Sequence, residues 1–145
     1  MRVSATLIWL LLCGSAALPQ EAALPASEFA RRRAAVAAQL EDGAYALDAG
    51  PLGEVGSDAN TPLFDFKYLT GVHDPEGVFV RTPKASAVFS SELRAPLEGI
   101  DEVLPPGKLA AWAGKHLAGF PKLYTKLRRK NQEAFHEAVP GIQLA

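Results

Sequence analysis

The sequence contains three histidines, the side chains best suited to metal binding or proton transfer near neutral pH: His73, His116 and His136. Each stands alone, because the chain has no His-x-x-x-His pair and no His-Glu-x-x-His motif. His73, next to Asp74 and near Glu76, stands in the one local cluster that suggests a metal site. Pro75 lies within this group and is typical of a turn, so we interpret the group as a turn and predict no metal site.

Motifs for nucleophilic or phosphate chemistry are incomplete. A nucleophile elbow requires Gly-x-Ser-x-Gly, and a phosphate-binding loop ends in Gly-Lys-Ser or Gly-Lys-Thr. The nearest segment, Gly-Glu-Val-Gly-Ser at 53–57, lacks the lysine and has Glu54 where a phosphate would lie. No catalytic and no cofactor-binding residue is therefore predicted, and an independent hydrolase is the weakest interpretation.

Positive charge is concentrated between Val103 and Gln132, a stretch without acids. Its basic side chains are Lys108, Lys115, Lys122, Lys126, Arg128, Arg129 and Lys130. Nucleic-acid binding would require these charges on one surface with aromatics between them, whereas Trp112, Phe120 and Tyr124 have the spacing of core residues. We interpret the stretch as a solvated face, with an anionic surface or partner as the alternative, and predict no nucleic-acid partner.

The first residues have the layout of a secretory signal peptide. Arg2 gives a positive start, residues 5–12 form an apolar run, and residues 15–17 are small. We predict a signal peptide at 1–17, a flexible leader at 18–26, and a secreted or periplasmic mature chain.

Cys13 is the only cysteine and offers an alternative, a lipoprotein acylated at that residue. The leucine before it disfavours lipoprotein processing, which prefers a small residue there. Cleavage after residue 17 would leave a chain without disulfides that depends on its core. No apolar run reaches membrane-spanning length, so no transmembrane segment is predicted.

The remaining residues, 27–145, are long enough for one globular domain, and the composition of 48% hydrophobic and 21% charged residues is ordinary for one. Ser27 is the predicted N-cap of a first helix that ends at Asp42-Gly43 and carries Phe29, Val36 and Leu40 on one face. Three consecutive arginines, 31–33, fan around that helix and are interpreted as solvated, with about one ion pair.

Further elements follow in alternation. Strands are predicted at 44–49, 77–81, 85–90, 100–104 and 122–125; helices at 106–117 and 128–138; a loop at 50–62; and a connector at 93–99. The aromatic segment 64–68 is predicted as a strand that ends in Tyr-Leu-Thr-Gly. Helices alternating with strands indicate an α/β layered domain.

The segment Phe64–Glu76, which reads FDFKYLTGVHDPE, follows a helix with paired arginines and precedes two strands and a Gly-Ile-Asp-Glu-Val step at 99–103. In this order the chain resembles the N-terminal domain of aminopeptidase P, the Xaa-Pro aminopeptidases of the creatinase and prolidase group. The resemblance spans roughly residues 27–139. Its motif residues, taken as structural, are Phe29, Arg31, Arg32, Asp65, Phe66, Tyr68, Leu69, Thr70, Gly71, Pro75 and Glu76.

Two features depart from the family pattern. The Ser that usually precedes the Asp-Phe step is replaced by Thr61-Pro62-Leu63-Phe64. A longer segment with Trp-x-Gly-x-Arg after the second hairpin strand is shortened here to residues 90–98. In some relatives an aromatic of that segment reaches a neighbouring active site, a contribution that this chain is not expected to make.

The resemblance implies an α/β fold with a small mixed sheet flanked by helices. It also implies that catalysis belongs to a separate pita-bread half with two divalent metals, typically manganese, held by two Asp, one His and two Glu; this chain lacks that half. We therefore expect an exported, non-catalytic domain with a role in oligomerisation and substrate access, in a truncated or split family member. Expected partners are a peptidase catalytic domain or further copies of the chain. The alternative is a stand-alone exported binding or scaffold module, with a cleft lined by Phe64, Phe66 and Tyr68.

Overall fold

A computed structural model describes residues 24–40, 44–49, 61–93 and 95–145, and for residues 61–64 it describes the backbone alone. The helices are α1 (Ala26–Ala37), α2 (Thr61–Thr70), α3 (Leu109–His116) and α4 (Arg129–Ala138), with a 3₁₀ turn at Pro106–Lys108 before α3. The strands are β1 (Tyr45–Asp48), β2 (Val78–Arg81), β3 (Ser86–Phe89), β4 (Glu102–Leu104), β5 (Lys122–Lys126) and β6 (Gln143–Leu144). The predicted signal peptide, and the leader up to residue 23, lie outside the described residues.

The strands form one mixed sheet in the order β4-β3-β2-β1-β5-β6. The three central strands pair antiparallel, β1 with β2 and β2 with β3. The outer pairs, β3 with β4, β1 with β5 and β5 with β6, are parallel. The predicted fold class, a small mixed sheet flanked by helices, is confirmed.

Alternation along the strands divides the core into two layers, because successive side chains point to opposite faces of a sheet. In β1, Tyr45 packs under α1 and α2, whereas Ala46 packs under α3 and α4. In β2, Phe79 and Val80 divide in the same way, and both are fully buried. The central strands are thus covered on both faces, which accounts for their continuous apolar sequence.

Helices α3 and α4 close one face with apolar side chains. Trp112 of α3 lies edge-on to Phe89 of β3, with ring centroids 5.9 Å apart. Leu117, just after α3, and Phe135 of α4 are fully buried in the same cluster. We call this layer the α3/α4 face.

Helices α1 and α2 cover the opposite face, which we call the α1/α2 face. Phe66 and Leu69 of α2 reach the core there, together with Tyr45, Phe79 and Ile100. Leu47 and Tyr124, from β1 and β5, are only partly buried in this layer. The cover is therefore complete over the centre of the sheet and incomplete towards β5.

The prediction of a strand at 64–68 was wrong, because these residues belong to α2. Apolar and polar residues alternate there as in a strand, but burial follows the helical period, with Phe66 and Leu69 inside and Lys67 exposed. The helix begins at Thr61 and carries Pro62 in its first turn, where a missing N–H is tolerated. The predicted loop 50–62 is therefore too long at its end, and its residues 50–60 lie outside the described part.

Both predicted ends of the first helix also need correction. Helix α1 begins at Ala26, with Pro25 in the N-cap position and no side-chain cap, so Ser27 is not the cap. Its last helical residue is Ala37, and the expected stop at Asp42-Gly43 lies outside the described residues. The other predicted strands and helix α4 are confirmed within two residues at each end. Of the helix predicted at 106–117, residues 106–108 form the 3₁₀ turn and α3 begins at Leu109, and β6 was not foreseen.

Candidate functional site

The structure brings part of the family-motif set together where α1 crosses the end of α2, a contact we call the α1–α2 junction. The guanidinium of Arg32 lies 4.1 Å from the ring centroid of Tyr68 and donates to the backbone oxygen of the same residue at 3.2 Å. Arg33 donates to the oxygen of Leu69 at 2.7 Å. Neighbouring arginines of one helix therefore hold the last carbonyls of the next.

Arg33 is the most unusual residue of this junction, because its side chain is 1% exposed. Besides Leu69, it donates to the oxygen of Glu98 in the connector before β4. Its Nε has no hydrogen-bond partner among the residues that the structure describes, and burial lowers the pKa of the guanidinium. Arg33 thus ties three segments that are distant in sequence, α1, α2 and the connector.

The interpretation of residues 31–33 as a solvated face was wrong for Arg33. The signal was present in the sequence, because residue 33 follows Phe29 by four positions and precedes Val36 by three. Helical spacing places it on the apolar stripe. The position of residue 33 on the helix predicts burial, whereas the charge of an arginine side chain predicts exposure.

Arg31 and Arg32 instead share one acid, Glu28. The carboxylate of Glu28 accepts from Arg31 at 2.8 Å and from Arg32 at 2.9 Å. These hydrogen bonds lower the pKa of Glu28 from its usual 4.5 to about 2. These two ion pairs lie at the surface, so their effect on the stability of the fold is small.

Gly71 ends α2 in the left-handed region, with a φ of 72°. Its N–H donates to the oxygen of Lys67, a common helix-terminating arrangement. A Cβ at this position would lie 2.9 Å from the ring of Phe29. Glycine is required here for two reasons, the backbone angle and the packing of α1.

A cleft of about 420 Å³ opens beside the junction. Its lining includes Phe29, Arg33, Gly71, His73, Leu93 and Leu97. The guanidinium of Arg33 already donates hydrogen bonds to two backbone carbonyls, and His73 lies on the exposed rim. The cleft therefore offers apolar contact, one exposed imidazole and two exposed acidic residues, Glu92 and Glu98.

A second cleft, also of about 420 Å³, lies where α1 and α2 leave the sheet uncovered, and we call it the β5 groove. Its mainly apolar walls include Val36, Leu40, Leu47, Tyr68, Leu69 and Tyr124. An ion pair between Lys126 and Asp65, 2.6 Å long, stands at its rim. Tyr68 is 53% exposed, one of the two large hydrophobic side chains in the described residues with so much open surface.

The remaining motif residue with a charge network is Glu76, in the turn between α2 and β2. It accepts from Arg128 at 2.9 Å and also from Lys130. These hydrogen bonds, that from Lys130 foremost, lower the pKa of Glu76. Part of the basic stretch is thus paired with acids of the domain and is not a simple solvated face.

Asp48, at the end of β1, is a buried acid that the sequence did not single out. Its carboxylate accepts the N–H of Arg128 at 2.6 Å and the side-chain amide of Asn131 at 2.8 Å. Arg128 is the N-cap position of α4, where the helix dipole favours a negative charge. Asp48 fixes the start of α4 against the sheet, so its function is structural.

The acid beside His73 has a structural role as well. Asp74 is buried, accepts from the hydroxyl of Ser90 and accepts the N–H of Glu76 within the predicted turn. In the described ranges, no three His, Cys, Asp or Glu side chains form a group that could hold a metal ion. A pair of divalent metals therefore does not fit the described residues.

The other histidines are separate from this turn. His116 stacks on Trp112 with ring centroids 4.4 Å apart, and its Nε2 lies 3.9 Å from a carboxylate oxygen of Glu102. His136 is exposed on α4. Among the helices that the structure describes, none has the length and apolar character needed to cross a membrane.

No protein-family model matches the chain, and no curated protein matches it significantly. Several solved structures do match the chain. A variant of Escherichia coli aminopeptidase P in complex with substrate superposes with a TM-score of 0.62 and 22% identity, over 79% of this chain and 32% of that one. Pseudomonas aeruginosa aminopeptidase PepP gives a TM-score of 0.60 and 26% identity, with the same coverage of 79% and 32%.

This chain spans about a third of the length of the solved structures it matches. A match of that extent is consistent with the N-terminal-domain-like part that the sequence predicts. The resemblance is confirmed at the level of the fold. Along 79% of its length, this chain has the fold of part of aminopeptidase P.

Proposed function

We propose that this chain provides a non-catalytic domain of a Xaa-Pro aminopeptidase-like metallopeptidase. In this role it helps to build the oligomer and narrows access to a catalytic centre that another polypeptide segment carries. The observation that supports the proposal is the match to aminopeptidase P over 79% of this chain and only 32% of the matched chains. That proportion is expected of one domain in a larger enzyme.

The use of acids within the domain supports the same proposal. Buried Asp48 and Asp74 each accept hydrogen bonds that fix a helix start or a turn. Carboxylates committed in this way are poor candidates for activating a water on a metal. The two divalent metals of such an enzyme, manganese in the proposal, would be bound by the catalytic part and not by the described residues.

The proposal is tested by assaying the purified chain on Xaa-Pro peptides, with and without added manganese. We expect no release of the N-terminal residue above a blank from cells that lack the gene. Turnover that follows the protein through two columns and is abolished by a chelator would contradict the proposal. Reading the DNA that follows the codon of Ala145 would show whether a catalytic half is encoded next to it.

We also propose that the chain is exported, since residues 1–17 have the layout of a signal peptide. Cleavage is expected after Ala17, because Ser15 and Ala17 supply the small residues at the two sensitive positions. N-terminal sequencing of the product recovered outside the cytoplasm measures this directly. A mature chain that starts at an acylated Cys13 would replace the soluble product by a lipoprotein.

The alternative, a stand-alone binding or scaffold module, needs a different cleft from the one first expected. Phe66 is fully buried and cannot line a cleft with Tyr68, and the side chain of Phe64 lies outside the described residues. The exposed side chain of Tyr68 in the β5 groove is the observation that keeps this alternative open.

A further inference from the structure

Three polar side chains lie close together on the α1/α2 face, and we call Arg33, Tyr45 and Arg81 the polar cluster. Tyr45 of β1 and Arg81 of β2 are directly opposite each other in the antiparallel pair. Side chains in such positions point to the same face of the sheet and are neighbours. Arg33 comes from α1 above them, near enough for its charge to act on Tyr45 and for that of Arg81 to act on it. The cluster therefore joins the helix layer to the sheet.

Each member of the polar cluster has a buried polar atom without a hydrogen-bond partner among the described residues. These atoms are the Nε of Arg33, the Nε of Arg81 and the hydroxyl oxygen of Tyr45. Buried polar atoms without a partner are rare in folded proteins, because their lost hydration is not replaced by a bond. Three of them in one cluster are explained most simply by a common acceptor that binds between them.

The cluster also holds two positive charges that no acid contacts directly. Within the described residues, the guanidinium of Arg81 forms neither a hydrogen bond nor an ion pair. The guanidinium of Arg33 donates to two backbone oxygens, those of Leu69 and Glu98. The charge of each guanidinium is therefore left without a counter-charge in contact with it.

The acids nearby are engaged elsewhere or exposed. Ser86, the neighbour of Arg81 on β3, donates its N–H and its hydroxyl to the carboxylate of Asp101, each at 2.7 Å. The carboxylate of Glu98 raises the pKa of Arg33 through its charge but is not bonded to it, and the residue is exposed. Neither acid supplies the missing acceptor.

The hydroxyl of Tyr45 is available as a donor. Burial raises the pKa of Tyr45 to about 12, although the charges of Arg81 and Arg33 oppose the rise. The phenol therefore keeps its proton near neutral pH. Arginine Nε atoms are donors only, so the polar cluster presents three donors together.

This set of donors favours one class of ligand. A water molecule has two lone pairs and no charge, so it would leave one donor unpaired and both charges without a counter-charge. A carboxylate has two oxygens, fewer than the donors. A tetrahedral oxyanion has enough oxygens for all three, and hydrogen bonds from guanidinium groups to phosphate are among the strong ones.

We propose that the polar cluster binds one tetrahedral oxyanion of the phosphate class, which accepts from both Nε–H groups and from the hydroxyl of Tyr45. Because the three donor atoms are buried, the ion enters by a movement of the Arg81 side chain, which is only partly buried. Arg33 keeps its bonds to the backbone oxygens while it binds the ion. This site belongs to the domain itself and does not depend on its role beside a catalytic part.

The test uses the full chain near neutral pH and inorganic phosphate, with sodium chloride adjusted to hold the ionic strength constant. Thermal melts and isothermal titration calorimetry measure binding. We expect the Tm to rise saturably with millimolar phosphate, at one ion per chain. Methyl phosphate is titrated in parallel, and the tighter of the two ligands shows whether the site takes a free ion or a phosphate ester. Absence of saturable binding of both would overturn the proposal.

Two charge-matched variants separate the site from general attraction to positive charge. Arg81→Gln and Lys84→Gln each remove one positive charge near the turn between β2 and β3, but Lys84 is exposed and lies outside the polar cluster. We expect Arg81→Gln to raise the Kd for phosphate about tenfold or more and Lys84→Gln to leave it unchanged. Equal Kd values for the two variants would overturn the proposal.

Tyr45→Phe removes the hydroxyl and keeps the buried ring. Without phosphate, the Tm should stay the same or rise, because an unpaired buried hydroxyl is lost. With phosphate, the Kd should rise about fivefold. A Kd that Tyr45→Phe leaves unchanged, or acetate that binds the wild type as tightly as phosphate, would overturn the proposal.

Discussion

The two faces of the sheet are closed in different ways. The α3/α4 face is sealed by apolar side chains such as Trp112, Leu117 and Phe135, and its one buried carboxylate named above, Asp48, lies at the edge, under the start of α4. The α1/α2 face combines apolar contacts with the buried guanidinium of Arg33, and it is left incomplete at the β5 groove. One sheet thus has a sealed face and a face that is pinned by polar contacts beside an opening.

The two faces of this small domain therefore differ in how completely their helices cover the sheet. Apolar packing is nondirectional and tolerates no gap without a loss of free energy. Hydrogen bonds from Arg33 to two backbone oxygens are directional, so they can hold α1 and α2 at a fixed place without covering the whole face. The incomplete cover leaves the β5 groove open beside these contacts.

The sealed face should show the largest loss on truncation. Phe135→Ala removes a fully buried ring from α4, and we expect the free energy of unfolding to fall by about 3–5 kcal/mol. Urea denaturation followed by circular dichroism measures this. A loss below that of any truncation on the α1/α2 face would reverse the comparison.

On the opposite face, Leu69→Ala is expected to reduce stability by about 2–5 kcal/mol, because Leu69 is 4% exposed. Lys67→Ala, two residues earlier on the solvent side of α2, should stay within about 0.5 kcal/mol. Urea melts of the pair test the helical phase of this segment. A silent Leu69→Ala with a damaging Lys67→Ala would mean that the phase is wrong.

Arg33 tests whether the polar contacts hold the α1/α2 face. Arg33→Leu keeps an apolar stem but leaves the oxygens of Leu69 and Glu98 without their donor. Hydrogen bonds to a charged group contribute about 1.5–3 kcal/mol each, and relief of the buried charge offsets part of this, so we expect a net loss of about 2–4 kcal/mol. Arg31→Leu, on the exposed side of the same helix, is the control. If the two variants melt alike, Arg33 does not pin the face.

Gly71→Val should destabilise the junction by about 1–3 kcal/mol, since a β-branched residue is strained at its φ of 72° and would meet the ring of Phe29. Gly119→Val provides the control, because its φ is 92° and nothing lies within 4 Å of the added Cβ. The difference between the two losses of stability, measured by thermal melts, reports the contact of residue 71 with Phe29. Equal losses would leave backbone strain as the whole effect.

The smallest effect is expected from the surface pair at the start of α1. The pKa of Glu28 is lowered from 4.5 to about 2, so its contribution to stability is present above the higher value and is lost as pH falls through the lower one. Glu28→Gln should therefore flatten the acid limb of stability against pH between these two values. Urea midpoints at pH 5, 3.5 and 2.5 measure this, and superimposable profiles would show that the pair contributes nothing.

The sequence allowed most of the fold to be predicted. The strands now seen as β1, β2 and β3 were recognisable because their apolar residues are continuous and bounded by turn residues such as Pro83 and Gly77. α4 and the 3₁₀ turn before α3 were recognisable from helical spacing and from the paired prolines at 105–106. These are local signals, and local structure follows from them.

Helix α2 shows why the rest was not predictable. The run Phe-Asp-Phe-Lys-Tyr at 64–68 has the alternation of a strand, and nothing within it distinguishes the two periods. Contacts of this segment with β1 and α1 select the helix over the strand, because they bury Phe66 and Leu69 together and leave Tyr68 exposed. β6 is only two residues long, too short for any pattern, and exists because β5 offers an edge.

By itself, the sequence determined the order of the elements other than α2 and β6, and the resemblance to aminopeptidase P, because both follow from residue types and their order along the chain. Only the tertiary structure decided which carbonyls Arg33 binds, that Asp48 starts α4 and that Tyr68 borders a groove. Those outcomes join residues 36 to 80 positions apart. Which side chain meets which across such distances is set when both layers pack on the sheet, and no local pattern records it.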